Sequence, residues 1–357
     1  MSEPKIREFL DNFCVRISAG SVSNILTKSA QSFEDEFHEL FMAGLASTPY
    51  QQTDDTSARV AGKFWHTHIV CNPYYTAFFT RPHKDRLTVL AILQNTASLA
   101  IRFNAKTLEL LEPFNIPKKW RRRTLLDDWF GAGHTSQTRT AIAQAAATAY
   151  YQQQTAVPIV QTLVCDDAGQ FKSVTDHLAL CWIYAGRHYE KLSPVVSRHA
   201  ILLDAFAEKY WDYYAALQRY RDGPTTAAAA RLRLEFDELF STRTGYASLD
   251  NRIIKTAAKK EELLTVLLHP EVPLHNNASE LGARVSARRR DVSLHSKSVR
   301  GARAMDVFTT IVQTSKKLGV SAYQYFQDRI SRNFELPSLA DTIENAAKMN
   351  TNGLASG

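Results

Sequence analysis

The chain has 357 residues, of which 45% are hydrophobic and 22% charged, an ordinary globular composition long enough for one large domain with insertions or for two domains. Its formal net charge is +7 and its pI about 9.1, a balance that favours an anionic partner once the charges are located. Four cysteines without a C-x-x-C pair exclude a zinc finger or ribbon, no segment has the make-up of a signal peptide, and no apolar run can span a bilayer, so a cytoplasmic protein with reduced thiols and no membrane partner is expected.

Residues 1 to 50 read as a helical N-terminal segment. KIREFLDNF and FEDEFHELFMAGL carry apolar residues at helical spacing. Between them VRISAGSVSNIL offers a Gly-containing turn with Ser21 or Ser23 as N-cap, which fits a helix-turn-helix corner or two plainly packed helices. Residues 51 to 95 open the core. The stretch from Gln52 to Pro82 is rich in Thr, Val, Ile, Tyr and Phe, and Gly62-Lys63 and Asn72-Pro73 punctuate it, which predicts three short strands joined by tight turns. His66 and His68 share a strand face, and with no third ligand nearby they read as cross-strand packing rather than metal ligands. HKDRLTVLAILQ then reads as an amphipathic helix.

Residues 96 to 157 read as a helical insertion. It carries Lys118, Lys119, Arg121, Arg122 and Arg123 around Trp120, a cluster that grips a nucleic-acid backbone or forms a solvated basic face. The second part of the core spans 158 to 194. Its opening run, AVPIVQTLVCDD, is almost continuously apolar and predicts a strand buried on both faces, as in the centre of a parallel sheet. Asp166 and Asp167 end that run, where open α/β sheets place their sites, or where an Asp-rich exit turn begins. HLALCWIYAGRHYEKL reads as a helix, and 195 to 270 as a second helical insertion. Residues 271 to 335 read as C-terminal core helices, and 336 to 357 as a polar, disordered tail.

Three places hold carboxylates that could act together: Asp54 or Asp55 in the first strand, Asp166 or Asp167 at the end of the buried strand, and Glu280. Glu280 stands three residues after Asn277, which matches a helix capping box. Its flank asks for more than a cap. Arg284 and Arg288 follow at i+4 and i+8, near one helical face, and Arg289, Arg290, Lys297, Arg300 and Arg303 extend the positive region. Three carboxylates holding two magnesium ions beside a cationic helix suit cleavage of a phosphodiester backbone.

VCDDAGQF, LALCWIYAGRHYEKL, the long block FSTRTGYASLDNRIIKTAAKKEELLTVLLHPEVPLHNNASELGARVSARRRDVS and KKLGVSAYQYFQDRIS closely resemble bacterial insertion-sequence transposases, nearest to the IS-sixty-six-type group of DDE transposases. The resemblance runs from about residue 15 to about 332, and N-N-x-x-E is its most specific piece. It implies an α/β, ribonuclease-H-like mixed sheet with large helical insertions and helical N- and C-terminal segments. It also implies an enzyme that cuts and joins double-stranded DNA at the ends of its own mobile element, with Mg2+ as cofactor and Mn2+ as substitute. Carried over by motif, the catalytic and metal-binding acids fall on Asp54, Asp166 and Glu280, while strand phase leaves Asp55 and Asp167 open. Asn277, Arg284, Arg288, Arg289, Arg290, Lys297, Arg300 and the cluster at 118 to 123 become DNA-binding residues. Element ends, target DNA, a homo-oligomer on DNA and helper proteins are the implied partners, at the nucleoid. The sequence departs from the group at Tyr184, which stands where relatives often have the histidine of C-W-x-H-x-x-R, with Arg187 kept. Longer relatives also carry an N-terminal extension with a cysteine-rich zinc element, which this sequence does not show. Two other readings fit the same residues: a non-catalytic DNA-binding descendant of a transposase, and a ribonuclease-H-like nuclease acting on another DNA substrate.

Overall fold

The computed structural model of the protein describes residues 3–96, 98–112 and 136–355, so the basic cluster of Lys118, Lys119, Arg121, Arg122 and Arg123 lies outside the described residues. Three helices open the chain: α1 (Glu3–Asp11), α2 (Ala19–Gln31) and α3 (Glu34–Ala46). Ser18, rather than Ser21 or Ser23, caps α2, its hydroxyl accepting the Ser21 N–H at 3.0 Å. Glu34, Asp35 and Glu36 fill the first turn of α3, where carboxylates favour the positive end of the helix dipole. Strands β1 (Tyr50–Val60), β2 (Lys63–Cys71) and β3 (Thr76–Arg81) follow, over the three runs that their alternating pattern predicted. The β1–β2 turn is Ala61-Gly62, both at positive φ (49° and 77°), the conformation that matches the twist of a two-residue hairpin.

The chain continues through α4 (Arg86–Leu93), α5 (Ala105–Leu110), α6 (Ser136–Gln153), β4 (Thr162–Cys165), β5 (His177–Leu180), α7 (Trp182–Glu190), α8 (Ser197–Asp222), α9 (Thr226–Ser241), α10 (Ala247–Ala257), α11 (Lys260–Leu263), α12 (Asn277–Ser293), α13 (Val299–Lys317), α14 (Ala322–Ile330) and α15 (Leu339–Ala355). The fold is therefore mixed α/β. No helix among the described residues is long and apolar enough to cross a membrane. The described residues fall into two compact units, one drawn from 1–160, 172–174 and 278–357, the other from 161–171 and 175–277.

In the first unit β1, β2 and β3 form an antiparallel meander with β2 in the middle. Alternation along the strands gives it two different faces. On one face Phe79 meets Phe37 and Phe41 of α3 at ring-centroid distances of 5.4 and 4.8 Å. On the other, Ile69, Cys71 and Phe78 pack against Ala278, Ala283 and Val285 of α12. Gly282 makes that approach close. A Cβ there would lie 2.8 Å from the Ile69 Cγ2. Gly282→Ala is therefore expected to lower stability by about 1–3 kcal/mol through overpacking, although alanine is the better helix former, and a thermal melt of the variant reads this directly.

The C-terminal segment is a helix, not a disordered tail. Ser338 caps α15, accepting the Asp341 N–H at 3.0 Å and donating to the Asp341 carboxylate at 2.7 Å. Leu339 and Ile343, one turn apart, are fully buried, and the helix packs on α3. The segment is polar in bulk, but its few apolar residues recur at one helical face, which is enough to dock it. A chain ending at Pro337 is expected to lose roughly 1.5–3 kcal/mol for each of those two side chains, seen as a melting point several degrees lower. An unchanged melt would show that α15 adds nothing.

In the second unit β4 and β5 pair in parallel, with Leu163 opposite Leu178 and Val164 opposite Ala179. HLAL is thus a strand, where the sequence pattern predicted the start of a helix. Four apolar residues carry no period that separates the two, and the helix begins only at Trp182, after Cys181 has capped it. Trp182 is fully buried among Tyr210, Tyr213, Phe236 and Phe240 of α8 and α9. The polar ends of these aromatics find main-chain carbonyls: the Trp182 indole donates to Leu263 at 2.8 Å, the Tyr210 hydroxyl to Trp182 at 2.8 Å and the Tyr213 hydroxyl to Leu232 at 2.7 Å. The second helical insertion supplies the core on which the parallel pair of this unit sits.

Candidate active site

Antiparallel register decides which face each strand carboxylate occupies, because directly opposed residues share a face. Asp54 is opposite Ile69, and Ile69 is the residue that Gly282 of α12 approaches. Asp54 therefore lies on the face covered by α12, two positions from Gln52 and Thr56. Burial pushes the Cys71 thiol on the same face up to about 11, with a small further contribution from the Asp54 charge. Asp55 is opposite His68, on the other face, and pairs with Lys84 at 3.4 Å. His68 is buried there, and its Nε2 lies 3.0 Å from the His83 carbonyl. Burial holds its imidazole below the usual histidine range.

Glu280 belongs to α12 and is half-buried. The helix begins at Asn277, so Glu280 is its fourth residue, one place beyond the position from which a capping-box glutamate reaches back. The first unit thus puts one strand carboxylate and the helix of Glu280 on the same side of a sheet. Their oxygens are the hard donors that magnesium or manganese takes. Among the described residues no group of three His, Cys, Asp or Glu side chains is already assembled around a cation position.

The second unit carries the other aspartates at the exit of β4, whose four residues are all buried. The Asp166 carboxylate accepts the Ala168 N–H at 3.1 Å, a short Asx turn. Asp167 forms an ion pair with Lys259. Beside them Tyr184 and His188 of α7, Arg252 and Thr256 of α10, and Lys259 line one pocket. The Tyr184 and His188 rings meet edge to face at 5.0 Å. Burial first, and then the two aspartates, push the Tyr184 phenol up. Burial, and then Arg252, Lys191 and Lys259, hold the His188 imidazole down. Sequence reasoning missed Arg252, His188 and Lys259. The only sequence signal for two of them is the basic stretch DNRIIKTAAKK, which holds Arg252 and Lys259; nothing there announces His188.

The basic run of α12 divides by helical phase. Arg284 and Arg288 are exposed, as are Asn277, Lys297 and Arg300. Arg289 turns inward, donates to the Thr309 hydroxyl at 2.8 Å and faces Asp306; burial lowers its pKa. Arg290 ties the helix to β1, donating to the Thr56 hydroxyl at 3.1 Å and to the Ser57 carbonyl. Arg303 pairs with Glu34 and stacks on Phe37 at 4.2 Å.

The model of the Transposase IS66 family matches residues 134–304, a stretch that holds Asp166, Glu280 and all of α12. An "Uncharacterized protein y4jO" of Sinorhizobium fredii (strain NBRC 101917 / NGR234) is 33% identical over 303 residues, covering 81% of this chain and 94% of that protein. With the family's segment matched and the likeness carried across most of its length, the chain belongs to the Transposase IS66 family.

Proposed function

We propose that the protein is a DDE transposase that cleaves double-stranded DNA at the ends of a mobile element and joins the freed 3′-hydroxyl to target DNA. Family membership supports a DNA substrate. The observation that carries the catalytic reading is the register that puts Asp54, and not Asp55, on the face covered by the helix of Glu280. Asp54, Glu280 and Asp166 would hold magnesium, or manganese in its place. Bound there, the ions would supply Lewis-acid stabilisation of phosphoryl oxygens and a lowered pKa for the attacking water or hydroxyl. The ribonuclease-H-like reading of the core belongs to the same proposal, as do a homo-oligomer on DNA, helper proteins and a place at the nucleoid.

The chain's own groups bind and orient the strand. Arg284 and Arg288 stand on the exposed side of α12, one and two turns beyond Glu280, and present their cations to phosphates. Lys297 and Arg300 extend that surface past the helix end, and Asn277 offers an amide at its start. Arg290 ties α12 to β1 and Arg289 ties it to α13 instead.

This division gives a measurable contrast. Replacing Arg284 and Arg288 together by alanine is expected to weaken binding of any duplex and to flatten the salt dependence of log K by about two, with the melting point unchanged. Replacing Arg289 and Arg290 is expected to lower the melting point first. Equal binding by the wild type and the folded Arg284/Arg288 variant would remove the phosphate role from this helix. Binding without cleavage of an element-end duplex in magnesium, by the wild type, would leave a non-catalytic DNA-binding descendant as the reading.

A further inference from the structure

An open cavity of about 510 Å³ lies in the first unit, bounded by α1, α2, the C-terminal end of α12, the connector of residues 294 to 298 and the start of α13. Cavities that take small organic ligands run roughly 300–1,000 Å³. Part of its wall is apolar: Ile6 of α1, Leu26 of α2, Leu294 of the connector, and Met305 and Phe308 of α13. Lys297 lines it as well and is exposed, and no acid is among the described residues around it. Arg289 and Arg290, engaged with Thr309 and with Thr56 and Ser57, add positive potential. An apolar wall beside a cation, with no carboxylate to repel an anion, suits a ligand with a flat apolar body and a negative group. The wall is also preorganised. The Ser296 N–H donates to the Arg59 carbonyl at 3.0 Å and the Ala61 N–H to the Ser296 carbonyl at 2.9 Å, which pins the connector to the β1–β2 hairpin. Leu294 is held there at a φ of 56°, a left-handed conformation that costs a leucine free energy, and its side chain is left 72% exposed.

We infer that this cavity receives one unpaired nucleotide of a DNA strand, with the base against Leu294, Met305 and Phe308 and a phosphate at Lys297. The inference rests on the transposase reading for the strand, whereas the nucleotide chemistry rests on the cavity alone. Taking a base out of a duplex costs stacking and pairing, least where the base is already unpaired, and burial against an apolar wall offsets part of that cost. The contacts are mostly apolar, so the cavity should accept any of the four bases.

The test uses the full chain in two arms. In the first, binding is measured in chelator for three duplexes of one sequence: fully paired, with one unpaired adenine nucleotide, and with an abasic residue in its place. The wild type is expected to bind the unpaired adenine about tenfold more tightly than the other two. Leu294→Asn should cut that preference to within about twofold and leave binding of the paired duplex unchanged. Asparagine takes left-handed backbone more readily than leucine, and the side chain it replaces is largely exposed, so the variant should fold. Ser23→Phe, which fills the cavity from α2 and leaves Leu294 in place, should do the same. In the second arm, free deoxyadenosine monophosphate is added, and the Leu294 methyl signals, assigned with Leu294→Asn, are followed by NMR. They are expected to move in the wild type and not in Ser23→Phe. A wild type that binds all three duplexes equally, or a preference that survives in both folded variants, overturns the inference while leaving the transposase reading intact. A wild type that binds no duplex, yet whose Leu294 signals answer the free nucleotide, keeps the cavity with a free nucleotide as its ligand and overturns the transposase reading. Silence in both arms overturns both.

Discussion

Glu280→Gln is expected to reduce magnesium-dependent cleavage of an element-end duplex on the order of 10³-fold or more, while melting point and duplex binding in chelator stay close to wild type. Glutamine keeps the length of the side chain and its hydrogen bonding, so the helix and its docking on the sheet should survive. It cannot bring negative charge to a divalent ion. The position of Glu280 sharpens the contrast, because as the fourth residue of α12 it is beyond the capping-box place and should contribute little to the helix start. Asp54→Asn should behave in the same way. Asp55→Asn is the internal control for cleavage: it lies on the opposite face of the sheet and pairs with Lys84, so its loss should be nearly neutral in cleavage. Cleavage by Glu280→Gln within a few fold of wild type would return that residue to a structural role. An Asp55→Asn variant as dead as Asp54→Asn would show that the strand register does not choose the metal ligand.

That register was only half legible in the sequence. Alternation and turn residues placed the three strands of the meander, because a half-buried strand writes its period into its residue types. They could not say which of two adjacent aspartates faces inward, since that depends on what covers each face, and the cover is a helix more than two hundred residues away. The same limit explains the basic run. SARRRDVS reads as one positive patch, yet Arg289 and Arg290 are spent on Thr309, Thr56 and Ser57, partners that local sequence does not announce. HLAL was too short to carry a period, and α15 was hidden because a single apolar stripe is enough to dock a helix that is polar everywhere else. The cations of the second unit were visible as a basic stretch, but nothing in their spacing showed that Arg252 and Lys259 would line a pocket with Asp167. The apolar run that they end and the family likeness located those aspartates; the surroundings that give them a chemical setting come from tertiary packing.

Asp306→Ala is expected to be among the most destabilising single changes in the protein, about 3–5 kcal/mol, whereas Asp306→Asn should keep most of the stability. The reason is the outer edge of β3. Its Thr76, Phe78 and Thr80 N–H groups point away from β2 and are buried, so they need acceptors. Helix α13 supplies them from every fourth residue. Thr314 accepts from Thr76 at 3.2 Å, Thr310 from Phe78 at 3.0 Å and Asp306 from Thr80 at 2.6 Å, with the Thr80 hydroxyl donating to the other carboxylate oxygen at 2.8 Å. Two residues of strand advance roughly 6.7 Å and four of helix about 6 Å, so the two ladders stay in step over three rungs. Alanine at 306 would strand the Thr80 N–H and leave Arg289 and Arg81 without their acid. Asparagine still offers an oxygen to the Thr80 N–H. The pH dependence separates charge from hydrogen bonding. Burial raises the Asp306 carboxyl to about 6, against the hydrogen bonds from Thr80 and the two arginines, which pull it down. A folded pKa above the unfolded one means that the folded state binds the extra proton between about pH 4 and 6. This group's contribution is therefore full below about pH 4 and is lost as pH rises through 6, by about 3 kcal/mol in all. Asp306→Asn has no such loss. Its stability relative to wild type should accordingly improve by that amount between pH 4 and pH 7, measured by denaturant unfolding at each pH. A difference that stays flat across the window would mean that Asp306 keeps an ordinary carboxylate pKa in the fold, and that the α13 ladder holds β3 without a burial penalty.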